Sequence, residues 1–353
     1  MTTSDEVALL RLAAQRLAGP RADTPTEAVR WLTAVQGQDL PGALTSVALR
    51  TAGGTRAAVE AALDAGEVVR SWPMRGTLHL TAADDLPWLL DLLGERALAG
   101  VAARRSALEL TAGDLERARE LAVAALAGGG RLSRAGLLAV LADGGVGITG
   151  QRGYHLLWYL AQTGTLVLGP MAGGEQLFVL LGEWVPAPRR LDREAALGEL
   201  ALRFFRSHGP ATVKDLVRWA GVLVRDVRTG LAVAGDRLTT LDVDGVVHWM
   251  DPETPDRLAA CRADAQRVLL LPGFDELVLG YADRTCTVPA EFADRIVPGG
   301  NGVFRPTTIS GGRAVATWRG TGRGAARSLQ LEPFGALPAE VSAAAVLAHA
   351  ALP

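Results

Sequence analysis

The chain has 353 residues, 49% of them hydrophobic and 21% charged, a globular balance that excludes a disordered polymer. A formal net charge of −2 excludes a nonspecific nucleic-acid coat, and no uncharged apolar stretch approaches the length of a membrane span. Cys261 and Cys286 are too few for a disulfide framework and lack metal-site spacing.

The N-terminal segment carries acids early and alternates arginine with apolar residues, which predicts an amphipathic helix rather than a signal peptide. A reduced cytoplasmic setting, close to the nucleoid, is therefore expected. Lys214 is the sole lysine, so the positive charge is almost wholly arginine. A GC-rich coding bias explains much of that excess. Guanidinium forks nonetheless suit phosphate oxygens and guanine edges.

Taken in chain order, the pattern repeats: helices, then a pair of short strands. Apolar spacing predicts helices over 4–17, 25–35 and 56–65, strands over 67–72 and 76–80, and a connecting helix over 86–93. Thr111 and Asp114 then have the spacing of a reciprocal helix cap for 113–127. Helices over 133–141, with Ser133 as N-cap, and 151–162 follow. Strands over 165–168 and 176–181 are separated by a turn-like run, 169–174.

A third pass reads as helices over 192–207, 212–220 and 223–231, and a hairpin, 237–243 and 246–250, across Asp244-Gly245. Beyond Pro252, strands are expected over 268–271, 278–281, 303–309, 314–319 and 328–331, with a turn at 310–313 and a closing helix over 338–350. Trp31, Trp72, Trp158, Trp219 and Trp249 recur at similar points and are expected in the core.

The fold class expected is α+β and mostly helical: three tandem winged-helix units followed by a small C-terminal β-barrel-like domain. The boundaries are 1–105, 106–190, 191–255 and 256–353.

Several segments carry a resemblance. They are Gln36-Gly37-Gln38-Asp39, the run from Ser71 through Trp72, Arg75 and Thr77 to His79, Gly209-Pro210, and Phe274-Asp275-Glu276-Leu277. Asn301-Gly302-Val303-Phe304-Arg305-Pro306 and Gly311-Gly312-Arg313 leading to Trp318-Arg319 complete the set. In order and spacing the chain resembles the AlkZ-like winged-helix DNA glycosylases, which are related to YcaQ.

The resemblance implies a monofunctional DNA glycosylase that excises bulky alkylated bases, chiefly N7-alkylguanines, and interstrand crosslinks. It acts in base-excision repair or in self-resistance to alkylating toxins. Catalysis falls on the Gln-x-Gln pair, here Gln36 and Gln38, with Gly37 between them. No cofactor and no metal are implied; the partner is duplex DNA carrying alkylated bases, bound by a monomer. The histidines are scattered without ligand spacing.

The chemistry asks little of an enzyme acid. An N7-alkylated guanine already carries positive charge and leaves the sugar without protonation. What remains is to place a water against the anomeric carbon. A carboxamide accepts from that water with its oxygen and donates with its nitrogen, so the gain comes from positioning. Residues two apart in an extended segment point to one side, as the pair requires, whereas Asp39 faces away and fits a helix N-cap.

Arg75, Thr77 and His79 alternate on one strand face and are candidate DNA contacts, alongside Asn301, Arg313 and Arg319. In relatives a β-hairpin presses into DNA near the lesion, and Arg313 sits at a candidate hairpin tip. Arg323 and Arg327 extend the basic strip. Asp275 is expected to pair with a nearby arginine, since neighbours on a strand diverge and Asp275 and Glu276 cannot share one atom. The competing reading is a noncatalytic winged-helix DNA binder or transcription regulator, though such regulators are usually dimers; a protein-binding scaffold is weaker still.

Overall fold

Helix starts are set by side-chain oxygens close to the expected positions. In the computed structural model, which describes residues 3–321 and 328–353, Thr3 accepts the Glu6 amide and opens α1 (Ser4–Ala14). Thr24 does the same for Glu27 at α2 (Pro25–Leu32). Thr33 ends α2 at φ 70° and ψ −49°, close to the strained classic γ-turn. The short strand β1 (Val35–Gln36) and helix α3 (Leu40–Leu49) follow.

The chain forms two compact units, Met1–Ala58 with Leu197–Pro353, and Val59–Ala196. It passes to the second through α4 (Arg56–Asp64). There β2 (Val68–Met74) and β3 (Thr77–Ala82) pair antiparallel across Arg75-Gly76, both left-handed at φ 55° and 69°. Helices α5 (Leu86–Gly100) and α6 (Ala102–Ala107) precede α7 (Ala112–Leu126). Thr111 and Asp114 form the expected reciprocal cap, at 3.1 and 2.9 Å. Ser133 caps α8 (Arg134–Asp143), and α9 (Arg152–Gln162) follows.

Strands β4 (Leu166–Ala172) and β5 (Glu175–Leu180) then pair. The turn is only Gly173-Gly174, narrower than expected, because Gly169 and Pro170 stay within β4 at a shift of register between Leu168 and Met171. A bulge tolerates a proline that has no amide to donate. The strands lie in the order β3-β2-β4-β5, and Trp72, Trp158, Leu126, Leu141 and Phe178 build the adjoining core. The short α10 (Leu181–Trp184) closes this stretch.

The first unit resumes within α11 (Arg193–His208), followed by α12 (Val213–Ala220), reciprocally capped by Thr212 and Asp215, and α13 (Val224–Ala234). The hairpin β6 (Thr239–Val243) and β7 (Val246–Met250) turns on Asp244-Gly245, as its sequence requires. Helix α14 (Thr254–Ala265), which apolar spacing does not announce, leads to β8 (Val268–Leu271).

Residues 278–281 are not a strand. Asp275 accepts the Leu277 amide and winds the chain into the helical turn α15 (Glu276–Leu279). After α16 (Ala293–Ile296), β9 (Thr307–Ser310) starts only beyond Pro306 rather than at 303. It is followed by β10 (Arg313–Thr321), β11 (Ser328–Pro333) and α17 (Ala339–Ala350).

These strands make an open antiparallel sheet, β11-β10-β9-β8, and among the described residues there is no closed barrel. The expected barrel fails because the strand at 278–281 never forms and the one at 303–309 begins only at Thr307. Of the tryptophans expected in the core, Trp72, Trp158 and Trp219 are buried, whereas Trp249 is partly exposed, as is Trp31, which lies under Arg16, Arg206 and Arg257. No helix among the described residues is long and apolar enough to cross a membrane.

Thr111→Ala removes an oxygen that two groups of the α7 start use. The expected cost is about 1 kcal/mol, read as a lower urea midpoint with an unchanged slope.

Candidate active site

Two adjacent acids organise the first unit. Phe274 takes a left-handed backbone, φ 62°, which costs a non-glycine residue about 1–2 kcal/mol. That bend turns the chain into α15 and sends Asp275 and Glu276 inward, where they are 1% and 0% exposed. As expected of neighbours, they reach different partners.

Asp275 grips Arg50 with both oxygens, Nη1 to Oδ2 and Nη2 to Oδ1 each at 2.9 Å. Ser46 donates its hydroxyl to the same carboxylate at 2.7 Å. The arginine partner expected from sequence is thus Arg50, itself 1% exposed. Burial pushes the Asp275 carboxyl up, but the Arg50 charge and the hydrogen bonds outweigh it and hold the group below its ordinary value. Arg50 also donates to the Gln15 side chain at 2.7 Å, and Gln15 donates to the Tyr281 hydroxyl at 3.0 Å. Tyr281 in turn donates to the His208 carbonyl at 2.9 Å.

Glu276 accepts the Gln36 backbone N–H at 2.9 Å on one oxygen and Trp219 Nε1–H at 2.9 Å on the other. His208 Nε2 stands 3.6 Å from that second oxygen, beyond hydrogen-bond reach but close enough for attraction. Burial raises the Glu276 carboxyl; His208, Trp219 and the Gln36 amide together bring it below its ordinary value. His208 stacks on Phe204, 4.6 Å between centroids. Gly280 has to be glycine here, since a Cβ would lie 2.7 Å from both His208 Cδ2 and the Glu276 carbonyl oxygen.

The carboxamide pair is thereby built on a carboxylate. Gln36 is buried, and its side-chain oxygen accepts the Gln38 backbone N–H at 2.7 Å. It folds back on its own segment, so its oxygen is committed to the turn, while Gln38 is exposed. The two carboxamides expected to act alike are therefore placed unequally: Gln36 is buried and shapes the turn, and Gln38 lies at the surface. Asp39 occupies the N-cap position of α3, as expected, but makes no capping hydrogen bond.

The expected DNA contacts fall into distinct situations. Arg75 is exposed at the β2–β3 turn, with Nη2 3.4 Å from His79 Nε2. His79 is fully buried and its Nδ1 lies 2.9 Å from the Thr77 carbonyl oxygen, so its place is beneath Arg75 rather than on an exposed face. Thr77 is half-buried. Asn301 is exposed and accepts the Val303 amide at 2.8 Å, a self-made turn.

Arg313 departs from the expectation of a projecting tip. Gly312 is buried at φ 81°, where a Cβ would meet Ala8 at 2.9 Å, and Arg313 pairs with Asp5 at 2.7 Å. The tip rests on α1. Arg319 is exposed on β10 and donates to Gln330 at 2.7 Å. Arg323 and Arg327 lie outside the described residues.

Sequence reasoning passed over Glu276 as a functional element. The signal was available: a carboxylate between Phe274 and Leu277-Val278-Leu279 has to be buried, and a buried charge must find donors. Which donors, the sequence does not say.

Comparison with known proteins agrees with this architecture. A family model described as DNA glycosylase AlkZ-like matches residues 29–352. An interstrand DNA cross-link repair glycosylase of Streptomyces sahachiroi is 26% identical over 321 residues, 87% of this chain and 85% of that protein. The solved structure of Streptomyces sahachiroi DNA glycosylase AlkZ superposes with a TM-score of 0.81 over 100% of this chain and 98% of that one, at 24% identity, a likeness of fold. The class is that of the DNA glycosylases, enzymes that cleave N-glycosyl bonds. More particularly, the chain belongs to the AlkZ-like DNA glycosylase family.

Asp275→Ala strands Arg50 inside the protein and is expected to cost about 3–5 kcal/mol in urea unfolding. Both carboxyls are lower in the folded than in the unfolded state. Their contribution is therefore complete above the unfolded carboxylate range and is lost as pH falls through and below about 4. In a stability profile from pH 7 to pH 3, wild type is expected to fall more steeply than Asp275→Asn.

Proposed function

We propose that this enzyme hydrolyses the N-glycosidic bond of bulky alkylated bases in duplex DNA, N7-alkylguanines among them, and that it opens interstrand crosslinks. The observation that carries the reading is the clamp of Glu276 on the Gln36 amide, with Gln36 in turn holding the Gln38 amide. A segment fixed at the Gln36 and Gln38 amides holds the Gln38 carboxamide at a set position. Crosslink repair is printed in the name of the Streptomyces sahachiroi relative and comes to this chain as part of the proposal.

In the proposed reaction the C1′–N9 bond breaks with its electrons going to the positively charged base, which leaves neutral; Gln38 orients the water that bonds to C1′, and that water's proton passes to solvent. Glu276 does not act as the base: its oxygens already accept the Gln36 amide and Trp219 Nε1–H. It acts through Gln36, as a positioning residue. The carboxylate also keeps a negative charge beneath the segment, which favours an oxocarbenium-like sugar above it.

The helix–hairpin units act as winged helices on the duplex, and the protein works as a monomer. Arg75, supported by His79 and Thr77, contacts backbone phosphate, and Asn301 offers its side-chain amide N–H groups. Arg313 is occupied by Asp5. The paired strands β10 and β11, with exposed Arg319 on β10, take the part of the segment that meets DNA near the lesion.

The decisive test uses a duplex holding one N7-alkylguanine and measures free base and abasic site. Wild type is expected to release the base; Gln38→Ala should lose about 100-fold in single-turnover rate, the cost of misplacing one reacting group. Gln36→Ala and Glu276→Gln should lower the rate with DNA affinity unchanged. If wild type releases nothing from any alkylated duplex, or both glutamine variants keep the full rate, the assignment fails. Duplex affinity should also fall by roughly 10³–10⁵ between about 50 and 200 mM salt if arginines track several phosphates. A flat profile counts against the proposed interface.

A further inference from the structure

A cavity of about 610 Å³ lies in the first unit, apart from the Gln36–Gln38 segment, and its lining is of two kinds. Val278, Val288, Ile296 and Phe304 form an apolar wall, and Arg218 and Arg284 face the same space. Such a volume falls in the range of small-ligand sites.

Arg284 is held in place and left unsatisfied. Its Nε donates to the Val278 carbonyl at 2.7 Å, and its guanidinium lies 5.0 Å over the Phe304 ring. Nη2 is buried with no hydrogen-bond partner. Burial, and then the charge of Arg218, push its pKa down to about 10. Arg218, exposed in the last turn of α12, makes no hydrogen bond or ion pair among the described residues.

Two acids also line the cavity; neither forms a hydrogen bond or ion pair with these arginines, although the charges of Asp215 and Asp283 partly offset that of Arg218 at Arg284. Asp283 accepts the Thr285 amide and hydroxyl at 2.9 and 2.7 Å, and Asp294 accepts the Gly299 amide at 2.7 Å. Both are spent on shaping the loops. What remains is a pair of like-charged forks, one with a buried donor, beside an apolar wall. A buried donor without an acceptor is costly, and a guanidinium matches the oxygens of a phosphate with two parallel donors.

We propose that this cavity binds one nucleotide unit, its phosphate between Arg218 and Arg284 and its sugar and base against Val278, Val288, Ile296 and Phe304. The occupant is either a nucleotide of the DNA strand, held away from the scissile bond, or a free nucleotide. The site needs only phosphate and does not depend on the roles given to Gln36 and Gln38.

The test uses the full chain, deoxyguanosine monophosphate, deoxyguanosine and undamaged duplex as probes, and the variants Arg218→Ala and Arg284→Lys. Wild type should bind the monophosphate and not the nucleoside, and perturb the arginine side-chain N–H signals in NMR. Arg218→Ala, at an exposed position, should weaken that binding about tenfold, the loss of one charge-assisted contact. Arg284→Lys, which keeps the charge and loses the fork, should weaken it as well.

If the DNA strand is the occupant, Arg218→Ala also lowers the slope of log affinity for duplex against log salt by about one. If a free nucleotide is the occupant, that slope stays as in wild type while monophosphate binding falls. The proposal is overturned if wild type binds the monophosphate no better than the nucleoside and the slope is unchanged, or if Arg218→Ala matches wild type in both assays. Base release from an alkylated duplex, run in parallel, separates failure of this site from failure of the glycosylase assignment.

Discussion

Glu276 is a carboxylate with essentially no exposed surface, kept charged by a backbone amide, an indole N–H and a nearby imidazole. A buried charge is tolerable only when its donors are all in place. That requirement ties together elements distant in the chain: Gln36 after α2, Trp219 in α12 and His208 at the end of α11. Fixing the acid therefore fixes the segment that carries the carboxamides. The dependence also runs outward, because Asp275, next to it, does the same for Arg50, Ser46 and, through Arg50, Gln15.

Strain gathers around this junction. Thr33 and Phe274 both adopt left-handed backbone, and they stand just before Gln36 and Glu276, the two residues that meet. Each such residue costs of order 1–3 kcal/mol and persists only where its surroundings over-determine it. Here the surroundings are the buried hydrogen bonds themselves. The arrangement fits the proposed reaction, in which no protein acid or base need titrate and one carboxamide orients the water.

The carboxylate's task differs from that in glycosidases built on an exposed catalytic acid pair. In those enzymes the acids flank the scissile bond. In this chain both acids are covered and already engaged by donors. In the reaction proposed above, their influence passes through geometry and through the field of a fixed negative charge.

Much of the architecture was legible from residues alone, and the reason is local. Thr111 with Asp114, Ser133, Thr212 with Asp215 and Asp244-Gly245 each act within four residues of themselves, so their caps and turns are readable in one dimension. The motifs of the family are likewise contiguous, and Gln36 and Gln38 could be singled out in this way. Asp275 was expected to find an arginine, because an acid in apolar sequence must.

Tertiary structure decided what depended on distant partners. That Arg50 is the arginine, that Glu276 reaches Gln36, and that Gln36 spends its oxygen on Gln38 are facts of packing across more than 200 residues or of one side-chain rotamer. The apolar run at 278–281 looked like a strand because alternation cannot register the Asp275 oxygen that winds it into a helix. The tip at Arg313 looked free because nothing near it in sequence announces Ala8 and Asp5. Hydrogen bonds between neighbours in sequence are written into the chain; those that satisfy a buried charge are chosen only when the core closes around it.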